Sequence, residues 1–280
     1  MNQETPRLNL VQLSDPHVVA QGKRLMGRID TAKYLARAIE RVNQITPRPS
    51  HVLITGDLVD QGSLDEYQHL RELLKPLPCP YWLMPGNHDS VPQLREAFPD
   101  HAYLQGNPEA DGTIAAFVLY ELDLGSHRLL SIDTTVPGKP FGTLCAARLN
   151  WLSKRLDAQP EMPTLIAQHH PPFTTGIAFM DGMGLREGAE ELERIVSRHP
   201  QVERLLCGHL HRTILRRFGG TLAMTAPSTA HQIALGLLPQ SEPAFIFEPP
   251  GFYLHGVQAD GSLVSHLQPI GDFGSAQRFG

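Results

Sequence analysis

The chain has 280 residues, 41% of them hydrophobic, and a formal net charge of -5; that is apolar material for one sizeable buried core. A net acidic balance argues against an electrostatic grip on nucleic-acid polymers or anionic membranes, which rests on clustered Lys and Arg. Residues 1–7 are polar and the apolar run after them breaks at Ser14 and Asp15, so neither a signal peptide nor a spanning helix is expected, and the protein is expected in the cytoplasm.

In chain order, Leu8 to Leu13 predicts a strand. Asp30 to Val42 predicts a helix with Tyr34, Leu35, Ala38, Ile39 and Val42 on one face. His51 to Thr55 predicts a second strand. The next helix opens on Ser63 and Glu66 in capping-box spacing, turns Leu70, Leu73 and Leu74 inward and is stopped by Pro76 and Pro78. Tyr81 to Met84 predicts a third strand, and Phe117 to Leu124 with Arg128 to Asp133 an antiparallel hairpin across Gly125 and Ser126. A helix from about Ala146 to Leu156, a strand at Thr164 to Gln168, a helix from about Gly188 to Arg198 and a strand at Val202 to Cys207 are expected to follow. Arg212 to Thr225 predicts paired strands and Phe252 to Pro269 a hairpin turning at Asp260 and Gly261. Between them the proline-rich Leu237 to Pro250 predicts a long loop. Strands alternating with helices, then a mainly β ending, predict an α/β sandwich with sheet inside and helices outside.

Cys79, Cys145 and Cys207 are odd in number and lack CxxC spacing, so each is read as a small buried hydrophobe and not as part of a disulfide or thiolate zinc site. Histidine is the unusual entry, with 14 copies. Asp15 and His17 follow the first predicted strand, Asp57 the second, Asn87 and His88 the third, His169 and His170 the strand ending near Gln168, and His209 and His211 the strand ending at Cys207. In an open α/β sheet, ligands bind outside the carboxyl ends of the strands, so these clusters are expected to meet at one rim. Glycine introduces three of them, as Gly56-Asp57, Gly86-Asn87 and Gly208-His209, where positive φ or close backbone approach is expected. The donor set is nitrogen and oxygen without sulfur, which suits Zn, Mn, Fe or Co. Four histidines, two aspartates and one asparagine exceed the needs of one ion, so two ions sharing a carboxylate, roughly 3.5 to 4 Å apart, are the economical arrangement.

The ordered blocks DPH, GDLVD, GNHD, HHPP and GHLH over residues 15–211 resemble the calcineurin-like metallophosphoesterase superfamily, whose pattern is DxH, GDxxD, GNHD/E, a histidine and GHxH. HHPPF, GIAFMD and STAHQ are further similar to bacterial class III cyclic nucleotide phosphodiesterases and glycerophosphodiesterases. The resemblance implies a four-layer α-β-β-α sandwich of two mixed sheets flanked by helices, with a small C-terminal β appendage. It implies that Asp15, His17 and His211 hold one ion and Asn87, His169 and His209 the other, with Asp57 between them. His88 corresponds to the family histidine that contacts the phosphate, either to protonate the leaving alkoxide or only to orient the phosphate, with Asp89 its natural hydrogen-bond partner or a turn residue. His170 is a substrate-contact or structural candidate, His231 is brought near the site, and Asp60 is a supporting or helix-entry residue.

The implied function is hydrolysis of small phosphodiesters, 3',5'-cyclic nucleotides such as cAMP or glycerophosphodiesters, by in-line attack of a hydroxide held by two divalent or mixed-valence ions. The alternatives are a phosphomonoesterase or broad phosphatase on the same site and a non-catalytic metal-holding scaffold; a nucleic-acid polymer and a membrane are not expected partners. Residues 1–235 are expected to form the dinuclear domain. Residues 236–280 are expected to form a C-terminal loop and hairpin serving as cap, sheet closure or dimerisation element, and the resemblance implies a homodimer or larger homo-oligomer. Phe173 to Arg186, with Phe179, Met180 and Met183, is either a cover over the site or an ordinary loop. The remaining histidines, His51, His69, His101, His127, His199, His255 and His266, take a structural or solvated reading.

Overall fold

The computed structural model describes residues 9–106 and 114–279; the expectations for residues 1–7, and the predicted strand start at Leu8, lie outside them. In chain order the main elements are β1 (Asn9–Leu13), α1 (Thr31–Asn43), β2 (His51–Thr55), α2 (Leu64–Leu74), β3 (Tyr81–Met84), α3 (Val91–Ala97), β4 (Tyr120–Asp123), β5 (Arg128–Ser131), α4 (Ala146–Ala158), β6 (Thr164–Ala167), α5 (Ala189–Ser197), β7 (Val202–Cys207), β8 (Ile214–Phe218), β9 (Thr221–Thr225), β10 (Gly251–Val257) and β11 (Leu263–Pro269). The helix starts follow local chemistry. Asp30 caps α1 by accepting from the Lys33 N–H at 3.0 Å, and before α2 the Ser63 N–H donates to Glu66 Oε2 at 3.1 Å.

Two main sheets form, with orders β11-β10-β1-β2-β3 and β8-β9-β7-β6-β5-β4. The centre of each is parallel: β1, β2 and β3 run together in one, and β5, β6, β7 and β9 in the other. Period-two alternation divides the second sheet's side chains between two cores. Leu129, Leu165, Leu206 and Met224 join the cluster built on Leu10, Val11, Leu53 and the buried faces of α1 to α3. Their neighbours Leu130, Ile166, Leu205 and Ala223 join the cluster containing Leu152 and Leu156 of α4 and Leu192 and Ile195 of α5. The result is the expected α-β-β-α layering, and each fully buried leucine contributes about 2 kcal/mol of hydrophobic stabilisation.

The C-terminal hairpin extends the first sheet: β10 runs antiparallel to β1, with Leu10 opposite His255 and Gln12 opposite Tyr253. Several expectations need correction. β4 begins at Tyr120 rather than Phe117, because the Val118 N–H is taken by Asp133 Oδ2 at 3.1 Å. Leu237 to Pro250 is not all loop, since Phe245–Ile246 pairs with Gln232–Ile233. Residues 173–186 contain a short helix, Ala178–Asp181, and Leu185–Glu187 pairs with Gly142–Thr143. Cys145 is exposed rather than buried because it precedes the first turn of α4 as its N-cap.

Candidate metal centre

The parallel strands β1, β2, β3, β6 and β7 all deliver their C-terminal ends to one rim. The backbone there is held in costly conformations. Among the described residues, the non-glycine positions at positive φ are Asp15 (50°), His17 (44°), Met26 (52°), Asp57 (46°), His209 (71°) and His211 (47°). An L-residue in this region costs on the order of 1 kcal/mol or more and persists only where its surroundings enforce it. Here they do. The exit loops of β1 and β2 are joined by Asp15 N–H to the Gly56 carbonyl (3.2 Å) and His17 N–H to the Asp57 carbonyl (3.0 Å). The His209 N–H donates to both Asp15 carboxylate oxygens at 3.0 and 3.1 Å, the His88 N–H to Asp57 Oδ1 at 2.9 Å, and Ser228 Oγ–H to the Asp15 carbonyl at 2.8 Å. Gly86 lies where a Cβ would strike Asp57 and the His169 ring, and one at Gly208 would strike Ser14 Oγ and the Thr55 carbonyl. Of the three expected glycines only Gly56 is at positive φ, 88°; the other two serve close approach.

Asp15, His17, Asp57 and His211 are buried, and their ligand atoms lie within 4.8 Å of one another. His211 Nδ1–H donates to the His231 carbonyl at 3.0 Å, which leaves its Nε2 lone pair facing the cluster, 3.0 Å from His17 Nε2 and 3.5 Å from Asp15 Oδ1. On the other side His169 Nδ1–H donates to the Thr55 carbonyl at 2.8 Å, and its Nε2 is 3.1 Å from Asn87 Oδ1. His209 Nε2 has no hydrogen-bond partner, and its ring centroid is 5.1 Å from that of His169. Asp57 stands between the two groups, with Oδ1 3.4 Å from His169 Nε2 and Oδ2 3.5 Å from His17 Nε2.

Burial and mutual charge set the protonation of these groups. Burial pushes His209 down to about 3, helped by the His169 charge, and pushes His211 far below its ordinary value, helped by His17. Both rings are therefore neutral, as metal ligation requires. Burial works against charge on Asp57 too, but His169 and His17 outweigh it and hold the carboxyl well below the usual range. The same contact, opposed by burial, raises His169 to about 9. Burial lifts Asp15 to about 6. Buried nitrogens at His17 Nδ1, His170 Nε2, His209 Nε2 and His231 Nδ1 lack partners, a costly state for polar atoms unless something else satisfies them. Neutral imidazole lone pairs, two carboxylates and an amide oxygen converging in this way fit divalent cations.

His88 is exposed at the mouth. Its Nδ1–H donates to the Asp60 carbonyl at 2.8 Å, and the Asp60 carboxylate lies 3.7 Å from that nitrogen and 3.8 Å from His17 Nδ1. Asp60 thus fills the place expected of Asp89. Asp89 instead accepts from the Leu58 N–H (3.0 Å), the Gly86 N–H (2.8 Å) and Tyr67 O–H (2.8 Å), clamping the β2 and β3 exit loops together. His170 is fully buried, with Nδ1 2.8 Å from Thr134 Oγ1. His231 lines the cleft, its ring 4.8 Å from that of His211. The cleft has a volume of about 290 Å³, a polar floor and walls that include Leu25, Met26, Phe179, Met180, Met183 and Ile233. Met26 and Ile233 were not marked by any motif; the only trace of Met26 is the glycine after it, which marks a turn. Ser14 and Thr55, which hold Asp15 and His169, likewise carry no recognisable spacing, whereas Ser228, which also holds Asp15, opens the STAHQ block.

Among the described residues, no helix is long and apolar enough to cross a membrane. A family model described as calcineurin-like phosphoesterase matches residues 8–213. The chain is 34% identical over 264 residues to "Probable glycerophosphodiester phosphodiesterase GpdQ" of Arcobacter nitrofigilis, covering 94% of each chain. It is 33% identical over 264 residues to "3',5'-cyclic adenosine monophosphate phosphodiesterase CpdA" of Pseudomonas aeruginosa, covering 94% of this chain and 90% of that one. A dimetal phosphatase of Danio rerio aligns with a TM-score of 0.64 at 14% identity, over 93% of this chain and 98% of that one; at that identity the likeness shows the fold alone.

Proposed function

The chain belongs to the calcineurin-like phosphoesterase family, and we propose that it hydrolyses small phosphodiesters, of the cyclic nucleotide or glycerophosphodiester class, at a centre of two divalent cations. Asp15, His17 and His211 would hold one cation and Asn87, His169 and His209 the other. The observation that carries the reading is Asp57, which points one carboxylate oxygen at each group of nitrogens, at 3.4 and 3.5 Å. When bound, such cations supply Lewis acidity, easing deprotonation of the attacking water and neutralising charge that builds on the phosphoryl oxygens.

The chain's own residues do the rest. Hydrogen bonds to Thr55 and His231 carbonyls hold Nδ1–H of His169 and His211 outward, so their Nε2 atoms face inward; that of neutral His211 presents a lone pair, and that of His169 would give up its proton to a cation. Because His88 Nδ1–H is held by the Asp60 carbonyl, Nε2 is the atom free to carry a proton to the leaving alkoxide. His231 borders the cleft beside this group, and His170, buried against Thr134, sets its ring 4.8 Å from that of His209. A cleft of about 290 Å³ sits at the small end of ligand sites. Its apolar walls suit an organic group esterified to phosphate. The names of the relatives favour diesters over monoesters, so turnover of bis-nitrophenyl phosphate is expected to exceed that of the mono-ester.

Asp57→Ala tests the centre. It is expected to lose both cations and to slow diester turnover at least about 1,000-fold, as read by elemental analysis and steady-state rates on the same preparation. Retention of both cations at an unchanged rate overturns the assignment.

A further inference from the structure

A buried chain of hydrogen bonds runs from the C-terminal hairpin to Asp15, and its direction follows from the chemistry of its members. Gln12 Nε2 lies 3.1 Å from the Cys207 carbonyl oxygen, which can only accept, so the amide nitrogen must face that way. Its second N–H reaches Thr55 Oγ1 at 3.2 Å. The amide oxygen then faces His255 Nε2 at 3.2 Å, and because that oxygen can only accept, Nε2 carries the ring proton. Nδ1 of the neutral ring accepts from Ser265 Oγ–H at 2.8 Å. Beyond Gln12, Thr55 Oγ1–H donates to Ser14 Oγ at 2.7 Å, shorter than its 3.3 Å alternative to the Leu13 carbonyl. Ser14 Oγ–H donates to Asp15 Oδ2 at 2.5 Å. Every donor points towards the carboxylate.

Gln12, Ser14, Asp15, Thr55 and His255 are each 0% exposed, so no solvent competes with the links from His255 to Asp15; Ser265 at the outer end is half-buried. Burial, aided by Arg204, lowers His255 to about 3 and keeps the ring neutral. Aligned donors polarise one another, so a chain of this kind acts on its last acceptor more strongly than its last bond alone. The last acceptor is Oδ2 of Asp15, which leaves Oδ1 turned to His211 Nε2 at 3.5 Å. His255 and Ser265 lie beyond residues 8–213, so the outer half of the chain is supplied by the segment that the family model does not span.

We propose that the Ser265–His255–Gln12–Thr55–Ser14 chain orients the Asp15 carboxylate for its cation, making Gln12, Thr55 and His255 positioning residues for that half of the centre. The proposal rests on the assignment of Asp15 as a ligand. Calorimetric titration of metal-free protein with Mn²⁺ tests both separately, with Asp15→Ala as the reference. Thr55→Val, nearly isosteric, is expected to weaken one of two Mn²⁺ sites about 10-fold and leave the other unchanged, with Thr55→Ser restoring it. His255→Phe at the far end is expected to weaken the same site about threefold, and the double variant to bind no worse than Thr55→Val alone, since the chain is already cut. If His255→Phe does not fold, His255→Asn, too short to reach both Gln12 and Ser265, takes its place. Additive losses in the double variant, equal weakening of both sites, or an unchanged site in the His255 variant overturns the relay. Two Mn²⁺ sites persisting in Asp15→Ala overturn the ligand assignment instead.

Discussion

At the scale of single residues, the site is a set of nitrogens and oxygens turned inward, His169 and His211 by carbonyls behind them and Asp15 and Asp57 by N–H and O–H donors. His88 differs, because it stands at the mouth with only its Nδ1 tethered. His88→Ala is therefore expected to keep its cations and lose about 100-fold in turnover of alkyl diesters, with a much smaller loss for nitrophenyl leaving groups that need no proton. Equal losses for both substrate kinds would contradict an acid role. The ligand candidates were legible from sequence because each follows a strand and sits in a fixed short block. Their supports were not. Asp89 adjoins His88 in the chain, yet its carboxylate turns to the Leu58 and Gly86 N–H groups, while Asp60, 28 residues before His88, supplies the carbonyl that holds it. Nearness in sequence says nothing about which way a side chain leaves a tight turn.

At the scale of elements, strand ends and turns carry the strain. A Cβ at Gly86 would meet both Asp57 and His169, so Gly86→Ala is expected to destabilise the fold by about 1–3 kcal/mol and to weaken cation retention. Thermal unfolding and metal content of one preparation read both effects. β10 adds a pH dependence through His255, whose folded pKa of about 3 lies below the ordinary 6.5. In that window the unfolded chain binds the proton and the folded one does not. The stabilisation is thus complete above pH 6.5 and is lost on acidification towards pH 3, at up to about 1.4 kcal/mol per pH unit. Urea unfolding between pH 7 and 4 should show a shallower slope for His255→Gln than for the parent; parallel curves would contradict it. β1, β2, β3, β7 and the capping box of α2 were legible because their periods and punctuation are clean. α3 was not, because its seven residues hold too little pattern and Pro92 reads as a break.

At the scale of the whole molecule, sequence order told which residues belonged to one rim, but not how the two sheets share it. Asp15, Asp57 and Asn87 come from the first sheet and His169 and His209 from the second, and the relay through Gln12 and His255 needs β10 beside β1. The position of that strand depends on pairing across more than 240 residues, which no local pattern encodes. Phe252 to Pro269 reads as a hairpin, but nothing in that stretch names β1 as the strand it pairs with. The central claim is that seven side chains from these two sheets enclose two cations with Asp57 between them. Element-specific anomalous diffraction from crystals grown with manganese tests it most directly. The account predicts two manganese peaks, one bounded by Asp15, His17 and His211 and the other by Asn87, His169 and His209, each within bonding distance of one Asp57 oxygen. A single peak, or peaks away from Asp57, would contradict it.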